Sequence, residues 1–422
     1  MLGSTKTLLR HIFSQVKPIP PDPILGLVAK YKQDPRKDAV NLAQGAYRDD
    51  NGRPFVLNSL KLAEAEIIRQ LNNGEIDKEY LGIEGNSEFR RLTAQFAFGE
   101  DIYDGLQQRL VTVQSLSGTG ALRLAADSLS QIAKVNTIFC SDPSWGNHSK
   151  IFQAAGLVPM PYRYVNASSQ TLDFIGMCDD LSSLPQQSVV LLHAAAHNPT
   201  GVDPNIEQWN ILSDIFARRQ LIPLFDSAYQ GFASGDSDVD AFAIRLFAQN
   251  QEINTMIVCQ SYAKNMGLYG ERIGALNVVC ETSDQKIALM SQIKQRIIRT
   301  AYSSPPLHGS RIACCLLTAG ALNVEWKKDL VTMAHRIQLV RTQLVEALES
   351  NPTNKKSWQH ISDQIGMFAY TGLTGSQVDE LLDVFGIYLT RDGRMSLAGL
   401  KSSDVKKVAA AMVHVCEFKS TE

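Results

Sequence analysis

The chain has 422 residues, 44% of them apolar and 20% charged, and its 41 basic and 43 acidic residues leave a net charge of −2. That balance argues against a nucleic-acid binder, which usually shows a basic excess or stripe, and a chain this long buries a large core without disulfide staples. No apolar run approaches the roughly 18 residues of a membrane helix, and low-complexity tracts and short repeats are absent, so a soluble multi-domain enzyme is expected.

In chain order, the first 21 residues carry Lys6, Arg10, His11 and Lys17 but no acid. Leu2, Leu9, Ile12, Phe13 and Val16 share one helical face. This is the composition of a mitochondrial targeting segment. The alternative is an arm that packs on a partner subunit, with a cytoplasmic address. Pro18-Ile-Pro-Pro-Asp-Pro23 ends the segment. Further on, short β-branched runs alternate with helical stretches. Val111–Gln114 reads as a strand running into Ser117-Gly-Thr-Gly120, and Val135–Cys140 as one running into Asp142-Pro-Ser-Trp145. Ser188–Leu192, Leu221–Phe225 and Ile253–Cys259 read as strands running into His197-Asn-Pro-Thr-Gly201, Asp226 and Ser261. Such alternation predicts a mostly parallel sheet flanked by helices. Polar residues cluster just after each strand, at the carboxyl edge where open α/β sheets bind ligands. From Asn323 the pattern changes. Leu330, Met333, Ile337, Val340, Leu344 and Leu348 predict one long amphipathic helix. Short strands at Gly366–Tyr370 and Ile387–Leu389 and a helix near Ser403–Val415 complete a smaller α/β unit.

The seven cysteines are odd in number and form no C-x-x-C, so they read as small buried hydrophobes in a reducing compartment. His193 and His197 are separated by three alanines, which leaves out the glutamate of a zinc protease; no metal is expected. Ser117-Gly118-Thr119-Gly120 fits either a phosphate cradle at a helix N-terminus or a tight turn. Lys264, in Ser261-Tyr-Ala-Lys264, is either a surface lysine or a buried amine of lowered pKa, poised to condense with a carbonyl. Asp226 ends an apolar strand, where an unpaired carboxylate is costly.

Together these segments resemble the aspartate aminotransferases, pyridoxal-phosphate (PLP) enzymes of fold type I. The resemblance is carried in order by NLAQGAYRDDNGRP, QSLSGTGALR, PSWGNH, HAAAHNPTGVDP, FDSAYQGFASG, SYAKNMGLYGERIGAL, YSSPPLHG, QIGMFAYTGL and DGRMSLAGL. It implies reversible amino transfer from L-aspartate to 2-oxoglutarate, giving oxaloacetate and L-glutamate. It also implies a homodimer with shared active sites and no nucleic-acid or membrane partner. Lys264 would hold PLP and move the proton at the substrate Cα. Asp226 would face the ring nitrogen, with His148 behind it, and Tyr229 and Asn198 would bond the ring oxygen. Trp145 would stack on the ring. Ser117, Gly118, Thr119, Ser261 and Arg272 would hold the phosphate, joined by Tyr80 from the neighbouring subunit. Arg394 would clamp the α-carboxylate near Gly45, and Arg299, from across the dimer, would meet the side-chain carboxylate. The implied organisation is an arm (1–22), a small domain in two parts (23–54 and 328–422) and a large PLP-binding domain (55–327). The sequence departs from the family at Ala43 and Gln44, which replace glycine and valine, at Gly82 and at Ser304. Gln44 is expected to put a polar side chain over the substrate. Aromatic or kynurenine transamination, and a non-enzymatic PLP-binding role, are the competing readings.

Overall fold

The computed structural model describes residue 13 and residues 16–417. Lys6, Arg10 and His11 of the basic N-terminal stretch lie outside the described residues. Among the described residues, helix α1 (Pro23–Gln33) starts where the sequence dictates. Asp22 accepts from the amides of Ile24 and Leu25 at 3.0 and 3.1 Å, and Pro23 occupies the position whose missing N–H is not needed.

The centre is a seven-stranded sheet of β2 (Leu110–Leu116), β3 (Thr137–Asp142), β4 (Val158–Arg163), β5 (Val189–His193), β6 (Ile222–Ser227), β7 (Met256–Ser261) and β8 (Ile273–Val279). Their spatial order is β2-β8-β7-β6-β5-β3-β4. All neighbours are parallel except β8, which runs against both β2 and β7. Residues 189–193 are all buried, as expected of a strand covered by helices on both faces. Two strands go beyond the sequence expectation. The β4 segment, VPMPYR, holds two prolines and reads as a breaker, yet at the sheet edge one side needs no ladder donors. The β8 strand contains Gly274, whose Cβ would sit 2.5 Å from the Gln260 carbonyl and 2.6 Å from the Ser117 carbonyl carbon. Only glycine lets β8 pass beneath the turn that follows β2.

Helices α2 (Ser117–Asp127) and α3 (Gly146–Ala154) follow β2 and β3. The long helix predicted from the apolar repeat is α4 (Ala321–Glu349), and all six residues of that repeat are buried. Helix α5 (Val405–Glu417) packs along it. Two small ladders complete this end of the molecule. β1 (Val40–Asn41) pairs parallel with β10 (Ile387–Tyr388), and β9 (Phe368–Tyr370) pairs antiparallel with β11 (Arg394–Ser396). An N-terminal strand is thereby joined to the C-terminal unit.

Candidate active site

The strand ends of the sheet and the β9–β11 ladder meet at one cleft of about 180 Å³. From β2, Ser117 turns the chain at φ +63° and opens α2; its own amide donates to the Arg272 carbonyl at 3.1 Å, while those of Gly118 and Thr119 are donors of a helix start without an intrahelical partner. A Cβ on Gly118 would fall 2.9 Å from the Ser261 Cβ, and the hydroxyls of Ser117 and Ser261 lie 3.1 Å apart. Thr119 and Arg272 line the same end. These groups form a donor-rich pocket fit for an anion. From β3, the start of α3 presents Trp145. From the loop after β5 comes Asn198, from β6 Asp226 and Tyr229, and after β7 Lys264. Gly45 and Arg394 close the opposite side.

The electrostatics follow from burial. Burial pushes the Lys264 amine down to about 8; nearby Asp226 opposes that shift, and Arg272 and Arg394 add to it. Burial by itself would raise Asp226. The hydrogen bond and charge of His148, with lesser help from His193 and Lys264, outweigh burial and hold the carboxyl below its ordinary value. The His148 Nε2 to Asp226 Oδ2 distance is 3.0 Å, and His148 Nδ1 lies 2.9 Å from Ser144 Oγ. Burial raises the Tyr229 phenol, which stays protonated. Arg394 is buried and has no carboxylate partner among the described residues. It donates to Asn198 Oδ1 at 3.3 Å and to the Ala43 carbonyl at 2.8 Å, lies 4.4 Å over the Phe368 ring, and keeps an unpartnered Nε. A buried guanidinium with a spare donor, facing a cleft, is built to take a carboxylate.

Behind Asp226 lies a row of buried imidazoles: His148 to His193 at 5.2 Å and His193 to His197 at 4.1 Å between ring centres. Burial pushes His193 down to about 3, with His148 adding to the shift and Asp226 opposing it. The folded protein therefore keeps His193 neutral where the unfolded chain, with an ordinary value near 6.5, takes up a proton. Stability should fall as pH drops below about 6.5, by about 1.4 kcal/mol per pH unit for this group. Urea unfolding at pH 6, 5 and 4 should give a shallower loss for His193→Asn than for the parent chain. Equal slopes would contradict the buried, neutral assignment.

Of the residues singled out from sequence, Gly45, Ser117, Gly118, Thr119, Trp145, Asn198, Asp226, Tyr229, Ser261, Lys264, Arg272 and Arg394 line this cleft. Tyr80 and Arg299 do not. Tyr80 is 89% exposed, and Arg299 lies exposed on the surface, hydrogen-bonded to Ser303. Gln44 lies outside the cleft lining, and its side-chain oxygen is 3.5 Å from Arg48 Nη2. Ala43 contributes only its carbonyl, which any residue supplies. Sequence reasoning missed Ile24, Leu122, Ala228 and Phe368, which also line the cleft.

Residues 37–412 match the family model for aminotransferase class I and II. A curated relative, the mitochondrial aspartate aminotransferase of Xenopus tropicalis, is 49% identical over 405 residues, covering 96% of this chain and 93% of the relative. The solved cytoplasmic aspartate aminotransferase of Saccharomyces cerevisiae superposes with a TM-score of 0.92 at 40% identity, covering 97% of this chain and 99% of that one. An aromatic-amino-acid aminotransferase from Burkholderia pseudomallei, solved covalently bound to pyridoxal phosphate, gives 0.89 at 37% identity over 96% and 99% of the two chains.

Proposed function

The chain belongs to the class I and II aminotransferases, and from that premise we propose that it is an aspartate aminotransferase, moving the amino group of L-aspartate reversibly to 2-oxoglutarate. The family is PLP-dependent, and the residues present fit that cofactor. A buried amine near pH 8, a charged carboxylate and a cradle of amides and hydroxyls share one cleft. The chemistry PLP supplies is an electron sink for the negative charge left at the substrate Cα. The protein's part is positioning and proton transfer. Lys264 would hold the cofactor, and its amine, neutral in part near pH 7.5, would take and return the Cα proton. Asp226, fixed by His148, would keep a negative charge for the ring nitrogen. Tyr229 and Asn198 would serve the ring oxygen, and Trp145 would supply an apolar face for the ring. Ser117, Gly118, Thr119, Ser261 and Arg272 would hold the phosphate.

Arg394 takes the α-carboxylate in two hydrogen bonds. Arg299 and Tyr80, exposed on their own chain, fit the placement the resemblance implies: each would reach the cleft of a partner subunit in a homodimer. There Arg299 of the partner subunit meets the side-chain carboxylate, and Tyr80 of the partner subunit meets the phosphate. The acid-free basic N-terminus and the naming of the Xenopus relative support a mitochondrial address, with the cytoplasmic yeast neighbour as the alternative.

The observation that carries this reading is the convergence of Lys264, Asp226 and Arg394 on one cleft. It is tested by comparing L-aspartate with L-phenylalanine as amino donor to 2-oxoglutarate. A guanidinium left unpaired by a neutral side chain should give aspartate a kcat/KM advantage of about 10²-fold or more. Equal or better use of phenylalanine would select the aromatic reading.

A further inference from the structure

Helix α4 carries a buried cation that the reaction itself does not use. Arg341 is 1% exposed, and no carboxylate pairs with it among the described residues. Its two terminal nitrogens donate to backbone carbonyls instead, Nη1 to Ile361 at 3.1 Å and Nη2 to Gly366 at 2.6 Å and Phe368 at 3.0 Å, while its buried Nε has no partner. A buried charge is tolerated only when its surroundings are fixed around it. Here those surroundings are a single loop, 361–368. Burial pushes the group down to about 9, which still leaves it charged at neutral pH.

That loop meets the carboxylate clamp at two places. Its last residue, Phe368, lies under the Arg394 guanidinium and edge-on to Tyr229, with ring centres 6.4 Å apart. Phe368 is also the first neighbour a Cβ on Gly45 would strike, at 2.9 Å. The loop backbone is held against the turn that carries Asn198. The Ile365 amide donates to the Gly201 carbonyl at 2.7 Å, and a Cβ on Gly366 would collide with Ala196. Asn198 in turn accepts from Arg394. Both the floor of the clamp and its polar neighbour therefore depend on where loop 361–368 sits. The other end of α4 is tied to the lysine side of the cleft, because the Trp326 indole donates to the carbonyl of Asn265, next to Lys264, at 2.8 Å.

We propose that Arg341 is a positioning residue for dicarboxylate binding: by gathering three carbonyls of loop 361–368 it sets Phe368 and Asn198, and through them the aim of Arg394. The inference rests on the aspartate aminotransferase reading, which gives Arg394 its carboxylate. Losing one charge-assisted hydrogen bond between Arg394 and the carboxylate is enough to weaken binding by about tenfold.

The test uses the PLP-loaded enzyme and its Arg341→Met and Arg341→Lys variants. Three quantities are read: the dissociation constant of the unreactive dicarboxylate succinate by calorimetry, KM and kcat for L-aspartate, and the pH titration of the visible absorption band. The inference predicts that Arg341→Met weakens succinate and raises KM for aspartate by about tenfold or more. It predicts a smaller change in kcat and at most a small shift of the absorption titration, because Arg394 is the smallest of the influences on Lys264 and the Lys264 side is anchored separately by Trp326. Arg341→Lys, with one compact ammonium in place of a planar fork, should fall between the two. If Arg341→Met does not fold, Arg341→Lys decides: a succinate constant within twofold of the parent overturns the inference. So does a folded Arg341→Met with unchanged succinate binding, or one in which kcat and the absorption titration change while binding holds. Failure of the underlying reading looks different, because the parent enzyme itself would then bind no succinate and ignore aspartate.

Discussion

Lys264→Ala is expected to remove transamination by at least about 10⁴-fold, since one substitution takes away both the covalent anchor and the general base. The variant should fold. Its melting temperature without cofactor should equal or exceed that of the parent, because a buried amine is replaced by a methyl group. Lys264→Arg separates charge from basicity. It keeps a cation in the cleft but cannot lose a proton at accessible pH, so it should be as inactive as Lys264→Ala. The lowered pKa gives the expectation a pH signature. The shift is downward, so the neutral amine is already populated near pH 8, where an ordinary lysine has well under one in a hundred molecules deprotonated. Capture of PLP by cofactor-free protein should therefore speed up with rising pH and level off above about 8. Activity surviving in Lys264→Ala, or capture still accelerating steeply beyond pH 9.5, would contradict the assignment.

The second large effect is expected at Asp226. Asp226→Asn keeps the shape and an acceptor for His148 but removes a buried negative charge. Removing one partner of a buried charge pair, here the carboxylate that would face the ring nitrogen, costs about 3–5 kcal/mol, or roughly 10²- to 10⁴-fold in rate where all of it falls on the barrier. The loss should appear in kcat, with KM for aspartate little altered, because Arg394 and not Asp226 binds the substrate carboxylate. His148→Asn should reproduce the effect in weaker form, since it leaves the charge in place and loosens only its orientation. Steady-state kinetics of both variants decide the matter. Activity of Asp226→Asn within a few-fold of the parent would show that no charge develops against this carboxylate.

Much of the cleft was legible because its parts sit at strand ends. A polar residue directly after an apolar β-branched run must lie at the carboxyl edge of a parallel sheet, and Ser117, Asn198, Asp226 and Lys264 all do so. The long helix was legible for the same reason: six apolar residues at helical spacing bury one face of α4. What escaped notice has no local signature. Ile24 reaches the cleft only because α1 folds over it, and Phe368 is one aromatic among many until Arg394 is found against its face. Arg341 sits within an otherwise ordinary helix, and its partners are backbone carbonyls, which every sequence possesses. The β4 and β8 strands were obscured by prolines and a glycine whose tolerance depends on sheet position.

The measurement that bears most directly on this account is the visible absorption spectrum of the purified, PLP-supplemented protein before and after addition of L-aspartate alone. The account predicts a bound chromophore whose visible band is lost on adding aspartate and restored by 2-oxoglutarate, which reports cofactor, half-reaction and substrate class together. A bound chromophore indifferent to aspartate, or a protein that takes up no chromophore at all, would contradict it.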